Sequence, residues 1–330
     1  MNDKLNSRKV QFLPKKDTVG KLTDIDTIDK IKVRAAAKFI RLLFSGVYPG
    51  PKNYDEIKKN TMVIKEIDYG SNIENGVMDI NMPIDNLNNN KPLIVLLHGG
   101  GFIGGSKEAT AAYARTLSYY GYIVANIEYA FAPEYTYPTQ IIQVSKAIEY
   151  LKDNREKFYI DIDNIFIAGG SAGAQIASQI AAIQTNEKLA NIMDIKPVLS
   201  KTELKGVILF CGLYNMDNVL ETGFPGVKEY LWAYTGEKNF ENYERLDEIS
   251  TVKQITENYP ATFITAGDRD QLESQSIELL KVLNEKNIDC TSVFFKDKKL
   301  LHQYQFMLWT DEGINTLEKV VSFIEDKINK

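Results

Sequence analysis

The sequence predicts an α/β protein: a mostly parallel, twisted sheet flanked by helices. Three observations predict it. Short apolar segments at 93–97, 122–127, 165–168, 206–211 and 262–266 show no clean alternation with polar residues, the pattern of strands buried on both faces of a parallel sheet. Amphipathic segments lie between them, with Ile141, Val144, Ile148 and Leu151 at helical spacing, and Ile176, Ile180 and Ile183 likewise. The alternation of strand and helix from Pro92 onward gives a doubly wound arrangement.

Taken in order, residues 1–20 are polar and lysine-rich and are expected to be loosely ordered. Ile28, Ile31, Ala35, Phe39 and Leu42 recur at helical spacing from Thr23 to about Phe44. Val47-Tyr48-Pro49-Gly50-Pro51 ends that helix, because two prolines and a glycine cannot continue it. Strand-like segments follow from Val63 to Tyr69 and from Val77 to Met82, and the turn-rich stretch 85–92 feeds the first strongly apolar strand. Thr291 to Phe295 reads as the last strand, and Ile314, Leu317, Val321 and Ile324 mark a closing helix. Between Leu213 and Pro260 the chain is long, irregular and aromatic, too long for an ordinary connection, which suggests an inserted lid.

A 330-residue chain with 44% hydrophobic and 25% charged residues has the composition of a globular enzyme able to bury a sizeable core. The net charge of −5 and scattered lysines argue against a nucleic-acid partner. Cys211 and Cys290 match no redox or metal spacing and are expected to be free, buried thiols in a reducing compartment. No apolar run approaches a membrane span or a signal segment, so a cytoplasmic location is expected. The carboxylates left over carry no metal signature, and no nicotinamide or flavin fingerprint is present, so neither metal nor cofactor is expected.

Chemistry concentrates at the ends of the apolar strands. Gly169-Gly170-Ser171-Ala172-Gly173 follows one of them, and a sharp strand-to-helix turn exposes a serine hydroxyl while glycines relieve the crowding. The helix that follows favours negative charge at its N-terminus. Gly99, Gly100 and Gly101 follow another strand and leave backbone N–H groups free for an oxyanion, each such donor being worth about 3 kcal/mol in a transition state. A phosphate-binding turn is the competing reading, but neither a Walker lysine nor a Gly-x-Gly-x-x-Gly spacing accompanies the glycines. The chain has only two histidines. His98 heads the glycine loop and is expected to shape it; His302 follows the last strand and is the candidate general base. Asp268 and Asp270 both qualify as the acid that orients it; Asp270, two residues further into the loop, is favoured. The order oxyanion loop, Ser, Asp, His is that of α/β-hydrolases.

Four motifs in that order resemble the hormone-sensitive-lipase-like branch of the α/β-hydrolases, the bacterial esterase/lipase group with an HGGG loop. They are His98-Gly99-Gly100-Gly101-Phe102, then Tyr129-Ala130-Phe131-Ala132-Pro133-Glu134 with Tyr137-Pro138, the Ser171 pentapeptide, and Asp270-Gln271-Leu272. The resemblance runs from about Asp68 to the C-terminus. It implies Ser171 as nucleophile, Asp270 as acid, His302 as base, and oxyanion donors on the backbone of Gly100, Gly101 and Ala172. It also implies a helical cap: residues 1–55 would contribute a helical segment, and 56–330 would form the catalytic domain with a cap insertion at about 213–260. Three positions depart from the family's pattern. Gly170 stands where it usually has Asp, His302-Gln303-Tyr304 where it usually has His-Gly-Phe, and Gln271 where it usually has Pro. None removes a reacting group, so they bear on subfamily and substrate.

The expected activity is hydrolysis of small or medium acyl esters through an acyl-enzyme. Amide or formamide cleavage by the same residues is the nearby alternative. A ligand-binding protein on a retired hydrolase scaffold is the alternative from another class, and peptidase action ranks last. The expected partner is a small ester substrate, and exposed edge strands permit a homodimer without requiring one.

Overall fold

The computed structural model describes residues 46–85 and 89–329, together with Arg34, Ala35, Ala37, Lys38 and Arg41. Residues 1–20 and most of the expected 23–44 helix lie outside the described residues, although Arg34, Ala35, Ala37, Lys38 and Arg41 are themselves helical.

Among the described residues eight strands form one sheet: β1 (Thr61–Asp68), β2 (Val77–Pro83), β3 (Lys91–Leu97), β4 (Ile123–Ile127), β5 (Ile160–Gly170), β6 (Leu204–Phe210), β7 (Ala261–Ala266) and β8 (Cys290–Phe294). Their spatial order is β1-β2-β4-β3-β5-β6-β7-β8. β2 pairs antiparallel with both β1 and β4, and every pair from β4–β3 to β7–β8 is parallel.

The missing alternation has a direct cause. On β3, Leu93, Val95 and Leu97 enter one core while Ile94 and Leu96 enter the other; on β6, Val207 and Leu209 divide from Ile208 and Phe210 in the same way. Helices cover both faces. The Ala172–Thr185 helix is buried along its whole length, as expected for a helix apolar on nearly every side. The closing helix spans Asp311–Ile328, and Thr310 caps it by accepting the Gly313 N–H at 3.1 Å.

Two elements exceed the sequence reading. β5 begins at Ile160 rather than at 165, because its first half is polar and pairs with Lys91 and Pro92 before a register shift. The Ala111–Tyr119 helix fills the place that the strand–helix alternation leaves between β3 and β4, with no apolar spacing to mark its bounds: it buries small and polar residues such as Ala112, Ala114, Thr116 and Ser118 alongside Tyr113 and Leu117. Both cysteines are free, but Cys290 is only partly covered rather than buried. In the 213–260 segment, Tyr234 and Phe240 serve the core, whereas Phe224 is half-buried. No described helix is long and apolar enough to cross a membrane.

Parallel strands place the loops after β3, β5, β6, β7 and β8 along one edge of the sheet, where open α/β sheets hold their sites.

Candidate active site

Ser171 sits between β5 and the Ala172–Thr185 helix with φ 57° and ψ −123°, a conformation that costs a non-glycine residue roughly 1–3 kcal/mol. The flanking glycines make the turn feasible. A Cβ on Gly169 would strike the Gly173 carbonyl, and one on Gly173 would strike the carbonyls of Leu97 and His98. The turn leaves Ser171 Oγ 2.9 Å from His302 Nε2, while His302 Nδ1 lies 2.8 Å from Asp270 Oδ2. The three residues, 131 and 32 positions apart in the chain, form one continuous hydrogen-bonded series. The Asp270 side chain is fully buried and His302 keeps 20% exposure. Of its apolar neighbours in the chain, Leu301 is exposed, whereas Phe306 is buried. Phe224 covers the imidazole instead, with ring centroids 4.8 Å apart.

Asp270 and Asp268 have different tasks. Asp270 Oδ1 accepts the Leu272 N–H at 2.9 Å, leaving Oδ2 for His302. Asp268 accepts from the backbone N–H groups of Lys298, Lys299 and Leu300 at 2.8, 3.0 and 2.6 Å. Desolvation opposes its charge, but these donors together outweigh it and hold its carboxyl below the usual range. It braces the loop that leads to His302.

The glycine loop lies against Ser171: a Cβ on Gly99 would come within 3.1 Å of the Ser171 Cβ. Among the described residues the N–H groups of Gly100 and Gly101 donate to no protein acceptor. Ala172 opens its helix, so its N–H has no intrahelical partner. His98 is buried beneath the loop, Nδ1 facing Gly99 O at 2.7 Å and Nε2 facing Glu128 Oε1 at 2.8 Å. Burial opposes charge on this ring, yet Glu128 outweighs it and raises the His98 pKa above the ordinary histidine value. Both ring nitrogens face acceptors, which a doubly protonated imidazole satisfies as donor twice. Tyr129 stacks on His98 at 4.3 Å and donates its hydroxyl to His98 O at 2.7 Å.

Three contacts of this site were not anticipated from sequence. Glu128 holds both His98 and the Lys107 N–H, the latter at 2.9 Å. Arg41 donates to Ile103 O at 2.5 Å, to Ala132 O at 2.9 Å and to Glu134 Oε2 at 2.6 Å. Gln303, at φ 61°, extends its amide over Gly99 and accepts the Tyr48 hydroxyl at 3.1 Å. The available signals were slight: an acid at the end of a strand, and two arginines, Arg34 and Arg41, in an apolar helical pattern.

The BD-FAE family model matches residues 78–283, more than half of the chain. The chain belongs to the BD-FAE family. This match spans β2 through most of the helix after β7 and includes the glycine loop, Ser171 and Asp270, with His302 beyond it. Relatives of this BD-FAE protein include "Esterase LipC" of Mycobacterium tuberculosis, 26% identical over 182 residues, covering 54% of this chain and 44% of that one. "Acetyl esterase" of Salmonella dublin is 26% identical over 229 residues, covering 66% and 68%. The chain spans about half the length of the first two curated relatives it matches, 44% and 52%. Among solved structures, "Esterase B" of Lactobacillus rhamnosis superposes with a TM-score of 0.74 at 19% identity, covering 91% of this chain and 93% of that one. The fold is therefore the α/β-hydrolase fold, and the resemblance drawn from the four motifs is borne out at the level of the family.

Proposed function

We propose that this chain is a serine carboxylic ester hydrolase acting on small or medium acyl esters. The observation that carries the reading is the unbroken series Asp270–His302–Ser171 ending on a serine with positive φ. Relatives named as esterases support the same activity. Ser171 Oγ attacks the ester carbonyl as His302 Nε2 takes its proton, and Asp270 holds the imidazole in the tautomer with hydrogen on Nδ1. The N–H groups of Gly100, Gly101 and Ala172 receive the oxyanion, helped by the N-terminal end of the helix behind Ser171. The alcohol leaves with the proton from His302, and water deacylates the serine by the same base.

The cap in this reading comes from two places. The 213–260 insertion brings Phe224 to His302 and packs the Tyr230 ring at 3.0–3.3 Å from the position a Gly101 Cβ would take. Residues within 1–55 brace the loops through Arg41 and Tyr48. These aromatic neighbours favour an apolar acyl group.

The test is turnover of p-nitrophenyl acetate and butyrate by the unmodified chain and by Ser171→Ala. We expect burst kinetics in the former and a loss of at least roughly 10⁴-fold in kcat in the latter. Equal turnover of every ester by both would overturn the reading.

A further inference from the structure

The expectation of no metal rested on spacing along the chain, which the sheet overrides. Cys211 follows β6, Asp270 follows β7 and His302 follows β8, so three parallel strands deliver a thiol, a carboxylate and an imidazole to one edge. One ligating atom from each lies within 4.8 Å of the other two, with Cys211 and Asp270 buried and His302 partly so. We propose that Cys211, Asp270 and His302 form an inhibitory site for a thiophilic divalent cation, zinc or its analogue cadmium.

Sulfur, nitrogen and oxygen together make a donor set that suits zinc over calcium or magnesium. A tetrahedral zinc ion takes sulfur at about 2.3 Å and nitrogen or oxygen at about 2.0–2.2 Å, which spaces its donors about 3.3–3.8 Å apart. To reach that spacing Asp270 Oδ2 and His302 Nδ1, now 2.8 Å apart, must separate, and a water would take the fourth position. Burial pushes the Cys211 thiol well above its ordinary range and the neighbouring Asp270 carboxylate adds to this, while the Gln303 and Ser171 backbones favour the thiolate. The sulfur is thus an inert thiol until a cation takes the proton's place.

The consequence follows from proton bookkeeping at the imidazole. The ion replaces the Asp270–His302 hydrogen bond, so Nδ1 holds metal and the ring's single proton resides on Nε2. Nε2 then cannot accept from Ser171 Oγ, and the base is lost. Cys211 releases one proton to solvent, and nothing is oxidised or reduced. Binding of the ion stands apart from the hydrolase reading; only its inhibitory effect rests on that reading.

The experiment titrates the full chain with Cd²⁺, following cadmium–thiolate absorption and ester turnover in parallel. The forms compared are the unmodified chain, Cys211→Ser, Cys211→Ala and Cys290→Ser, which together cover both cysteines of the sequence. The unmodified chain and Cys290→Ser should show a thiolate band saturating at a single equivalent, with turnover falling in step and returning on chelation. Both Cys211 variants should turn over ester, lack the band, and need about tenfold more ion or worse for the same inhibition. A band lost in Cys290→Ser instead, inhibition unchanged in the Cys211 variants, or a band that leaves turnover intact would each overturn the proposal. If no form turned over ester, the hydrolase reading would fail while the absorption titration still decided the cation site.

Discussion

Ser171 owes its position to the residues beside it, and Gly170 shows how tightly. Where the family resemblance leads one to expect an aspartate, a Cβ at 170 would lie 2.7 Å from the Phe306 ring. Phe306 fills that space and packs on Tyr113, Tyr48 and Phe210, with ring centroids 5.1–5.7 Å apart. Gly170→Ala should therefore overpack the turn and cost about 1–3 kcal/mol in urea unfolding, and trimming the ring with Phe306→Leu should recover part of that loss. At this scale Ser171 and Asp270 were legible as candidates because each stands in a local pattern after a strand, and His302 because the chain has only one other histidine. Glu128 and Gln303 were not. Their partners lie 30 and 255 residues away, and nothing local marks an acid beneath a glycine loop or an amide laid over it.

Among the elements, Arg41 ties its segment to the loops around the site. Its guanidinium joins two carbonyls, Ile103 and Ala132, to the Glu134 carboxylate and lies 5.5 Å above the Phe131 ring. It thereby fastens the glycine loop to the Ala132-Pro133-Glu134 turn. Arg41→Ala should lower kcat/KM by about tenfold to a hundredfold, because small displacements of reacting groups are costly. The thermal midpoint should move little, since Arg41 is part-exposed. Arg41→Lys should fail to restore the rate, as an ammonium cannot reproduce the guanidinium fork. Strands buried on both faces and the long helices were readable from apolar spacing. The polar half of β5 and the bounds of the Ala111–Tyr119 helix were not, because pairing and burial, rather than hydrophobic runs, define them.

Over the whole molecule, the parallel strands set the site, and the antiparallel pair β1–β2 is joined to them by the β2–β4 ladder and by a buried ammonium. Lys107, 3% exposed, meets Glu66 at 2.5 Å, Glu108 at 2.7 Å and the buried Asp79 of β2 at 3.0 Å. Burial opposes its charge, but these three carboxylates more than offset that and raise its pKa. Lys107→Met should cost about 3–5 kcal/mol of global stability, read by chemical denaturation, because Asp79 is left buried without its cation. The mostly parallel sheet follows from patterns read along the chain, whereas its strand order and this tie depend on a fold that brings residues 66, 79 and 107 together. The most direct test of the account is labelling with a fluorophosphonate probe, comparing the unmodified chain with Ser171→Ala and His302→Ala and mapping the modified residue. The account predicts modification at Ser171, absent in Ser171→Ala and strongly slowed in His302→Ala. A folded, unmodified chain that takes up no probe, or takes it up at another residue, would contradict it.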